Sequence, residues 1–215
     1  MLPQGETYEQ FVDVNVVSSQ KVGPTIADDL KTSSAWALSL SLIAIALYML
    51  IRFKHMGFSI GTFVFLAHDV MIILTCYSLF YTIMPFSMEI DQSFIAALLA
   101  YLGYSVNDTV VIFDRIREHT SLYPKRSVTS LMDEALNETL SRTFSTSFAV
   151  LIVMLSMFIF GGETVRGYIF ALLIGSFMGV YSTLFVAVPV AYDVMIRQKK
   201  HQAAIKAETK LANSK

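Results

Sequence analysis

Long apolar stretches separated by short charged segments dominate the chain. Five of them are close to or above the roughly 20 residues that a helix needs to cross a membrane. They cover residues 34–53, 60–84, 94–113, 143–160 and 167–192. With 54% hydrophobic and 15% charged residues, the chain has little material for a separate water-soluble domain. The pattern predicts an all-α integral membrane protein, with a five-span helical bundle in residues 33–196.

The segments that flank the spans show other patterns. Residues 11–17, FVDVNVV, alternate apolar and polar positions and predict a strand. Because one strand cannot stand alone, residues 1–32 are interpreted as the remnant of an external domain followed by a short lead-in helix at 25–31. Residues 128–140 predict a separate amphipathic helix on the inner membrane surface, and residues 197–215 a basic cytoplasmic tail.

Basic residues segregate to one side once the spans alternate across the membrane. Of the 16 Lys and Arg residues, all but Lys21, Lys31 and Arg166 fall on the side that contains the C-terminus. The positive-inside rule therefore predicts a cytoplasmic C-terminus and an external N-terminus. Because no signal peptide precedes the first span, we expect a further span or fused domain to deliver the N-terminus across the membrane.

The single cysteine, Cys76, excludes a disulfide framework, and no metal-ligand or cofactor pattern is recognised.

Asp108 is the leading candidate for a functional residue. It lies seven residues before Arg115, which places it roughly 10 Å inside the apolar layer. An aspartate at such depth is paired, hydrated or protonated, and each of these states can be switched. Arg142, at the start of the fourth span, is the best cation to face it, although an arginine there can also reach lipid headgroups. A permanently neutral, structural carboxyl at Asp108 is the alternative.

The second span carries another carboxyl, Asp69, at similar predicted depth. His68 precedes it, but adjacent helical residues point to different faces, so the two side chains need not touch.

In the fifth span, Gly175 and Gly179 have the four-residue spacing that allows close helix packing.

Three segments together resemble the bacterial protein-export membrane proteins of the SecF type, or the SecF half of fused SecDF proteins, in the resistance-nodulation-division superfamily. They are VGPTIADDL at 22–30, GYSVNDTVVIFDRIRE at 103–118 and NETLSRTFSTS at 137–147. The resemblance implies spans two to six of a SecF half, without its first span and most of its periplasmic domain. It also implies a multi-pass location in the bacterial inner membrane.

The resemblance implies a subunit that uses the proton motive force to assist preprotein export. It would act on preproteins that emerge from the SecYEG channel after the SecA motor has pushed them. The implied partners are SecD, SecYEG, the preprotein, YajC, YidC and membrane lipids, with no nucleic acid. The resemblance also implies that Asp108 and Arg142 serve proton transport, together with Asn107 as a neighbour in the motif and Asp69 as a polar contact in the adjacent span.

Three other interpretations remain open. A proton-coupled exporter of lipids or small molecules would share the buried aspartate, but its large external domains are not seen here. An intramembrane aspartyl protease would use Asp69 and Asp108, yet the Gly-x-Gly-Asp sequence of such enzymes is missing before Asp108, so we expect no enzyme. A noncatalytic scaffold that only holds SecD is the third.

Overall fold

The computed structural model describes residues 24–212. Its helices are α1 (Pro24–Phe53), α2 (Met56–Phe80), α3 (Gln92–Leu122), α4 (Val128–Phe160), α5 (Glu163–Ser182) and α6 (Val188–Ala212), and a π-helical turn (Thr183–Ala187) joins the last two. Five helical segments are long and apolar enough to cross a membrane: Asp29–Phe53, Met56–Phe80, Gln92–Leu122, Val128–Phe160 and Glu163–Gln202. The predicted all-α, five-span architecture is therefore confirmed. Residues 24–212 contain no strand, and the strand predicted at 11–17 lies outside the described residues.

The chain divides into two compact units, residues 1–35 and 36–215. Of the first unit, the structure describes only the beginning of α1. In the second unit α3 is central, since it packs against α2, α4 and α5, while α2 also packs along α6.

Helix α4 is continuous where the sequence predicts two elements. The surface helix expected at 128–140 and the span expected at 143–160 form one helix, because no glycine or proline interrupts residues 128–160. The apolar face of its first turns, which includes Leu131 and Ala135, is buried against the other helices. The prediction of a separate helix lying on the membrane surface was wrong. The lead-in helix at 25–31 is likewise part of α1.

A two-residue turn connects α1 to α2. Lys54 has a positive φ of 52° and donates its backbone N–H to the Leu50 carbonyl (2.8 Å), which closes the end of α1. His55 caps α2, because its Nδ1 accepts the backbone N–H of Gly57 (3.1 Å). Further along α2, Gly61 permits close contact with the π-helical turn and the start of α6, since a Cβ there would lie 2.7 Å from the Ala187 carbonyl oxygen and 3.3 Å from the Cβ of Ala191.

The π-helical turn between α5 and α6 has an identifiable cause. Pro189 lacks an N–H and its ring clashes with the carbonyl four residues earlier, that of Phe185, so the regular helical ladder cannot pass through unchanged. The wider turn follows Ser182 and begins at Thr183, and both of these side chains are buried in the bundle.

Candidate functional site

The carboxyls of Asp69 and Asp108 lie in two separate clusters of polar side chains along α3. We call the first the Asp69 cluster, which consists of Asp69, His68, Tyr101 and Ser182. The second, the Asp108 cluster, consists of Asp108, Thr146 and Ser147.

In the Asp69 cluster the carboxyl is completely buried. Its Oδ2 accepts hydrogen bonds from the hydroxyl of Tyr101 and from Ser182 Oγ (2.7 Å). Its Oδ1 lies 3.2 Å from Nδ1 of His68, so the neighbouring histidine, which sequence reasoning left unassigned, does contact it. The carboxyl thereby connects α2 with α3 and α5.

Two glycines on α5 make room for the tyrosine of this cluster. A Cβ at Gly175 would lie 2.7 Å from Cδ2 of Tyr101, and a Cβ at Gly179 would lie 3.0 Å from the tyrosine hydroxyl oxygen. The predicted close approach at these glycines is therefore a close approach of an aromatic ring. It brings the hydroxyl of Tyr101 to the carboxyl of Asp69.

The Asp108 cluster lies at the contact between α3 and α4. Asp108 is half-buried, and its Oδ2 accepts a hydrogen bond from Ser147 Oγ (3.1 Å). The hydroxyl of Thr146 approaches Oδ1 at 3.4 Å, but it also donates to the Arg142 carbonyl at 3.0 Å. Both donors come from one helix, and one of them is shared with the backbone.

Arg142 and Asn107 do not contact Asp108 through their side chains in this structure. Arg142 is exposed on α4, one turn before Thr146, and its guanidinium forms no ion pair within residues 24–212. Asn107 is exposed on α3. The structure thus brings two hydroxyl groups of α4, and not the guanidinium of Arg142, to the carboxyl of Asp108.

Two buried hydroxyls on α3 lie between the clusters. Tyr104 and Ser105 have buried side-chain oxygens that make no hydrogen bond of good geometry among the described residues, although Ser105 lies near the hydroxyl of Tyr101 and Tyr104 lies near Ser147. Tyr104 is one helical turn before Asp108, and Ser105 is one turn after Tyr101. Buried hydroxyls without well-formed hydrogen bonds are uncommon, so this part of α3 has unused capacity to donate and accept hydrogen bonds.

Sequence reasoning missed the tyrosines and Ser182. Tyr101 and Tyr104 fit ordinary positions of an apolar span, and their spacing of seven and four residues before Asp108 was the available signal. The hydroxyl-rich start of the fourth span was visible, but its spacing alone does not show which hydroxyl faces Asp108.

One further group has the residue types of a metal site. Ligand atoms of His119, Glu134 and Glu138 lie within 4.8 Å of one another at the contact of α3 with α4. However, Glu138 accepts a hydrogen bond from Arg115, and Glu134 accepts one from Arg126 (2.8 Å). Since guanidinium groups already pair with both carboxylates, we interpret the group as an ion-pair cluster that joins the two helices.

The two aspartates are not arranged as a catalytic pair. Asp69 is bonded to Tyr101, which lies seven residues and therefore roughly 10 Å before Asp108 along α3. Paired catalytic carboxyls of the aspartic-protease type are only about 3 Å apart. The geometry does not support the protease interpretation.

Comparison with known proteins gives the family. A family described as "Protein export membrane protein SecD/SecF, C-terminal" matches residues 4–197. The chain belongs to this SecD/SecF family.

Named relatives and a solved structure agree with this assignment. The chain is 45% identical over 192 residues to the protein translocase subunit SecF of Rhodothermus marinus, covering 89% of this chain and 60% of the relative. It is 37% identical over 188 residues to the subunit of the same name from Haemophilus influenzae, covering 87% and 55%. A crystal structure of SecDF in its super-membrane-facing form superimposes with a TM-score of 0.73 at 30% identity, covering 91% of this chain and 26% of that one. The chain therefore spans a little over half the length of these SecF relatives.

Proposed function

We propose that this chain forms the membrane-spanning part of a SecF-type subunit that uses the proton motive force to assist preprotein export. The observation that carries the proposal is the Asp108 cluster. A half-buried carboxyl lies at a helix–helix contact and is held by hydroxyls alone, while an unpaired arginine lies one turn away on the same helix as those hydroxyls.

The proposed chemical step is a change of partner at Asp108. Ionised Asp108 attracts the guanidinium of Arg142 and the hydroxyl donors of α4. Once protonated, it carries no charge, so Arg142 is released and the contact between α3 and α4 can rearrange. A charge inside the apolar layer costs about 2.5–3.5 kcal/mol on insertion scales, so the two protonation states favour different local packing.

The remaining predicted residues take supporting roles in the proposal. Asp69 fixes the position of α3 beside α2 and α5, and with the hydroxyls of Tyr104 and Ser105 it extends the polar stripe that leads to Asp108. Asn107 is exposed in this structure. We propose that its side chain forms a functional contact only when the helices pack in a different arrangement.

The family supports the partners that we propose, and the distribution of basic residues supports the proposed orientation. We assign SecD as the direct partner, and SecYEG, the preprotein, YajC and YidC as further partners in the bacterial inner membrane. The N-terminus is placed outside and the C-terminus in the cytoplasm, as the distribution of basic residues indicates. The names of the relatives favour this function over export of lipids or small molecules.

A scaffold that only holds SecD is the second candidate. It is favoured by the exposed surface of α4, in whose most apolar window only 11% of the residues are buried. Such a surface contacts either lipid or another membrane helix.

One complementation experiment separates the two candidates. The matching segment of the Rhodothermus marinus SecF is replaced by this chain, and export of a preprotein is measured in cells depleted of their own SecF. We expect the chimera to restore export and its Asp108→Asn variant to lose the part that depends on the proton motive force. Asp114→Asn, an exposed aspartate on the same helix, is the matched control and should restore export fully. If Asp108→Asn restores export as well as the unchanged chimera, the proton role is wrong and the scaffold function replaces it.

A further inference from the structure

A cavity of about 230 Å³ opens where the turn between α1 and α2 meets α3 and α6. It is lined by three apolar residues, Phe53, Phe58 and Met195, and by four polar ones, His55, Arg117, Thr120 and Ser121. None of the lining residues is acidic. All of them belong to the same compact unit, residues 36–215.

Three of the four polar side chains of the cavity can donate a hydrogen bond to a ligand, whereas the hydroxyl of Thr120 already donates to the Ile116 carbonyl (2.8 Å). Arg117 forms no ion pair within residues 24–212, and its closest polar contact is a long one of 3.4 Å to the Arg52 carbonyl. The Nδ1 of His55 accepts the N–H of Gly57, so the neutral ring must carry its proton on Nε2. The hydroxyl of Ser121 makes no hydrogen bond within the same residues and can donate as well. A ligand that accepts hydrogen bonds fits these groups.

The charges around the cavity are also positive. Burial, and then the positive charge of Lys199, lower the pKa of His55. The nearby carboxylate of Asp114 is already paired with Arg52, at 3.5 Å. The cavity also lies at the N-terminal end of α2, where the helix dipole favours an anion. An anion would therefore meet an uncompensated guanidinium.

The position of the cavity identifies the source of the anion. It lies where α1 ends at Phe53 and α2 begins at Met56, which is the level of the lipid headgroups for two helices that cross a bilayer. The apolar part, formed by Phe53, Phe58 and Met195, suits the glycerol and first acyl carbons of a lipid but not a free, hydrated phosphate.

We infer that this cavity binds the phosphate headgroup of an anionic phospholipid, with Arg117 as the main charged contact. The inference rests on the cavity and its donors and is independent of the function proposed for Asp108. Bound lipid would connect α3 with the turn between α1 and α2 and with α6, and would fill a gap in the packing at this end of the bundle.

The test is lipid retention by the purified full chain, measured by native mass spectrometry. The protein is exchanged into detergent with phosphatidylglycerol, with phosphatidylcholine or with inorganic phosphate alone. Arg117→Gln removes the proposed contact, and Ser121→Glu places a negative charge in the cavity. Arg197→Gln is the matched control, because Arg197 is an exposed arginine on α6 that pairs with Asp193 (2.8 Å) and does not line the cavity.

We expect the wild-type chain to retain phosphatidylglycerol in preference to phosphatidylcholine. Arg117→Gln should lower this retention about fivefold, the effect typical of one basic residue at an anionic membrane surface, and Arg197→Gln should not. Ser121→Glu should lower it as well. Equal retention by wild type and both cavity variants would overturn the inference. Binding of inorganic phosphate as readily as phosphatidylglycerol would overturn the assignment to lipid.

Discussion

Asp69 and Asp108 are both aspartates inside membrane-spanning helices, but Asp69 is completely enclosed whereas Asp108 is half-buried. The carboxyl of Asp69 has partners on α2, α3 and α5, including a tyrosine hydroxyl that two glycines make room for. The carboxyl of Asp108 has only hydroxyl partners, both on α4. The difference indicates that the first carboxyl holds the helices in one arrangement, while the second can exchange its partners.

The largest effect on folding is expected for Asp69→Ala. It leaves the buried hydroxyl of Tyr101 without this acceptor and that of Ser182 with only a long contact to the Gly179 carbonyl (3.3 Å), and such loss typically costs about 1–3 kcal/mol per group, so we expect a loss of about 3 kcal/mol. Asp108→Ala should cost less, about 1–2 kcal/mol, because it leaves only the buried hydroxyl of Ser147 without an acceptor, whereas Thr146 also donates to the Arg142 carbonyl. The free energy of unfolding in defined micelles measures both. Equal losses would remove the distinction between the two clusters.

A second test of the comparison replaces glycine on α5. Gly175→Ala places a Cβ 2.7 Å from the ring of Tyr101, so the ring must shift away from Asp69. Overpacking of this kind typically costs about 1–3 kcal/mol. The matched control is Gly103→Ala on α3, where a Cβ meets nothing within 4 Å and should be neutral or stabilising. If thermal unfolding shows the same change for both variants, the tyrosine is not held as the structure indicates.

A smaller effect is expected on the α4 side of the Asp108 cluster. Ser147→Ala removes the better of the two donors and should cost about 1 kcal/mol, with a partial loss of gradient-dependent export in the chimera. Ser145→Ala is the control, because Ser145 is exposed and donates only to the backbone carbonyl of Ser141 (2.8 Å). Full export by Ser147→Ala would mean that this hydroxyl is not a functional partner of Asp108.

The smallest effect concerns His55, which lies outside the spans. In any pH experiment, its titration must be distinguished from that of the carboxyls in the Asp69 and Asp108 clusters. Burial, and then the charge of Lys199, lower its pKa below the usual 6.5. The neutral ring is therefore favoured in the folded state, so its contribution to stability is present above pH 6.5 and is lost as the pH falls through the lowered pKa. Unfolding measured against pH should show this loss in the wild type and a reduced loss in His55→Gln. An unchanged profile in that variant would assign the pH dependence to other groups.

Much of this architecture could be predicted from the sequence because membrane spans depend on length and hydropathy alone. The five spans and the special position of Asp108 followed from that. The continuity of α4 is harder to predict, because the change from an amphipathic to an apolar pattern resembles a helix boundary, although no helix-breaking residue is present.

The contacts within the site were harder to predict because they depend on tertiary packing. The expected pairing of Arg142 with Asp108 is not formed here, and hydroxyls one turn further along α4 take its place. The contact of Tyr101 with Asp69 requires glycines on a third helix, and the position of Ser182 depends on the π-helical turn, whose register is not encoded by hydropathy.

The most direct measurement of the central claim is the infrared difference spectrum between acidic and alkaline vesicles that contain the full chain. A carboxyl that gains a proton gives a C=O stretching band that the carboxylate lacks. We predict that part of this band in the wild type disappears in Asp108→Asn and remains in Asp69→Asn and in Asp114→Asn. Identical spectra for the wild type and Asp108→Asn would contradict the account, because Asp108 would then not be the carboxyl that exchanges a proton.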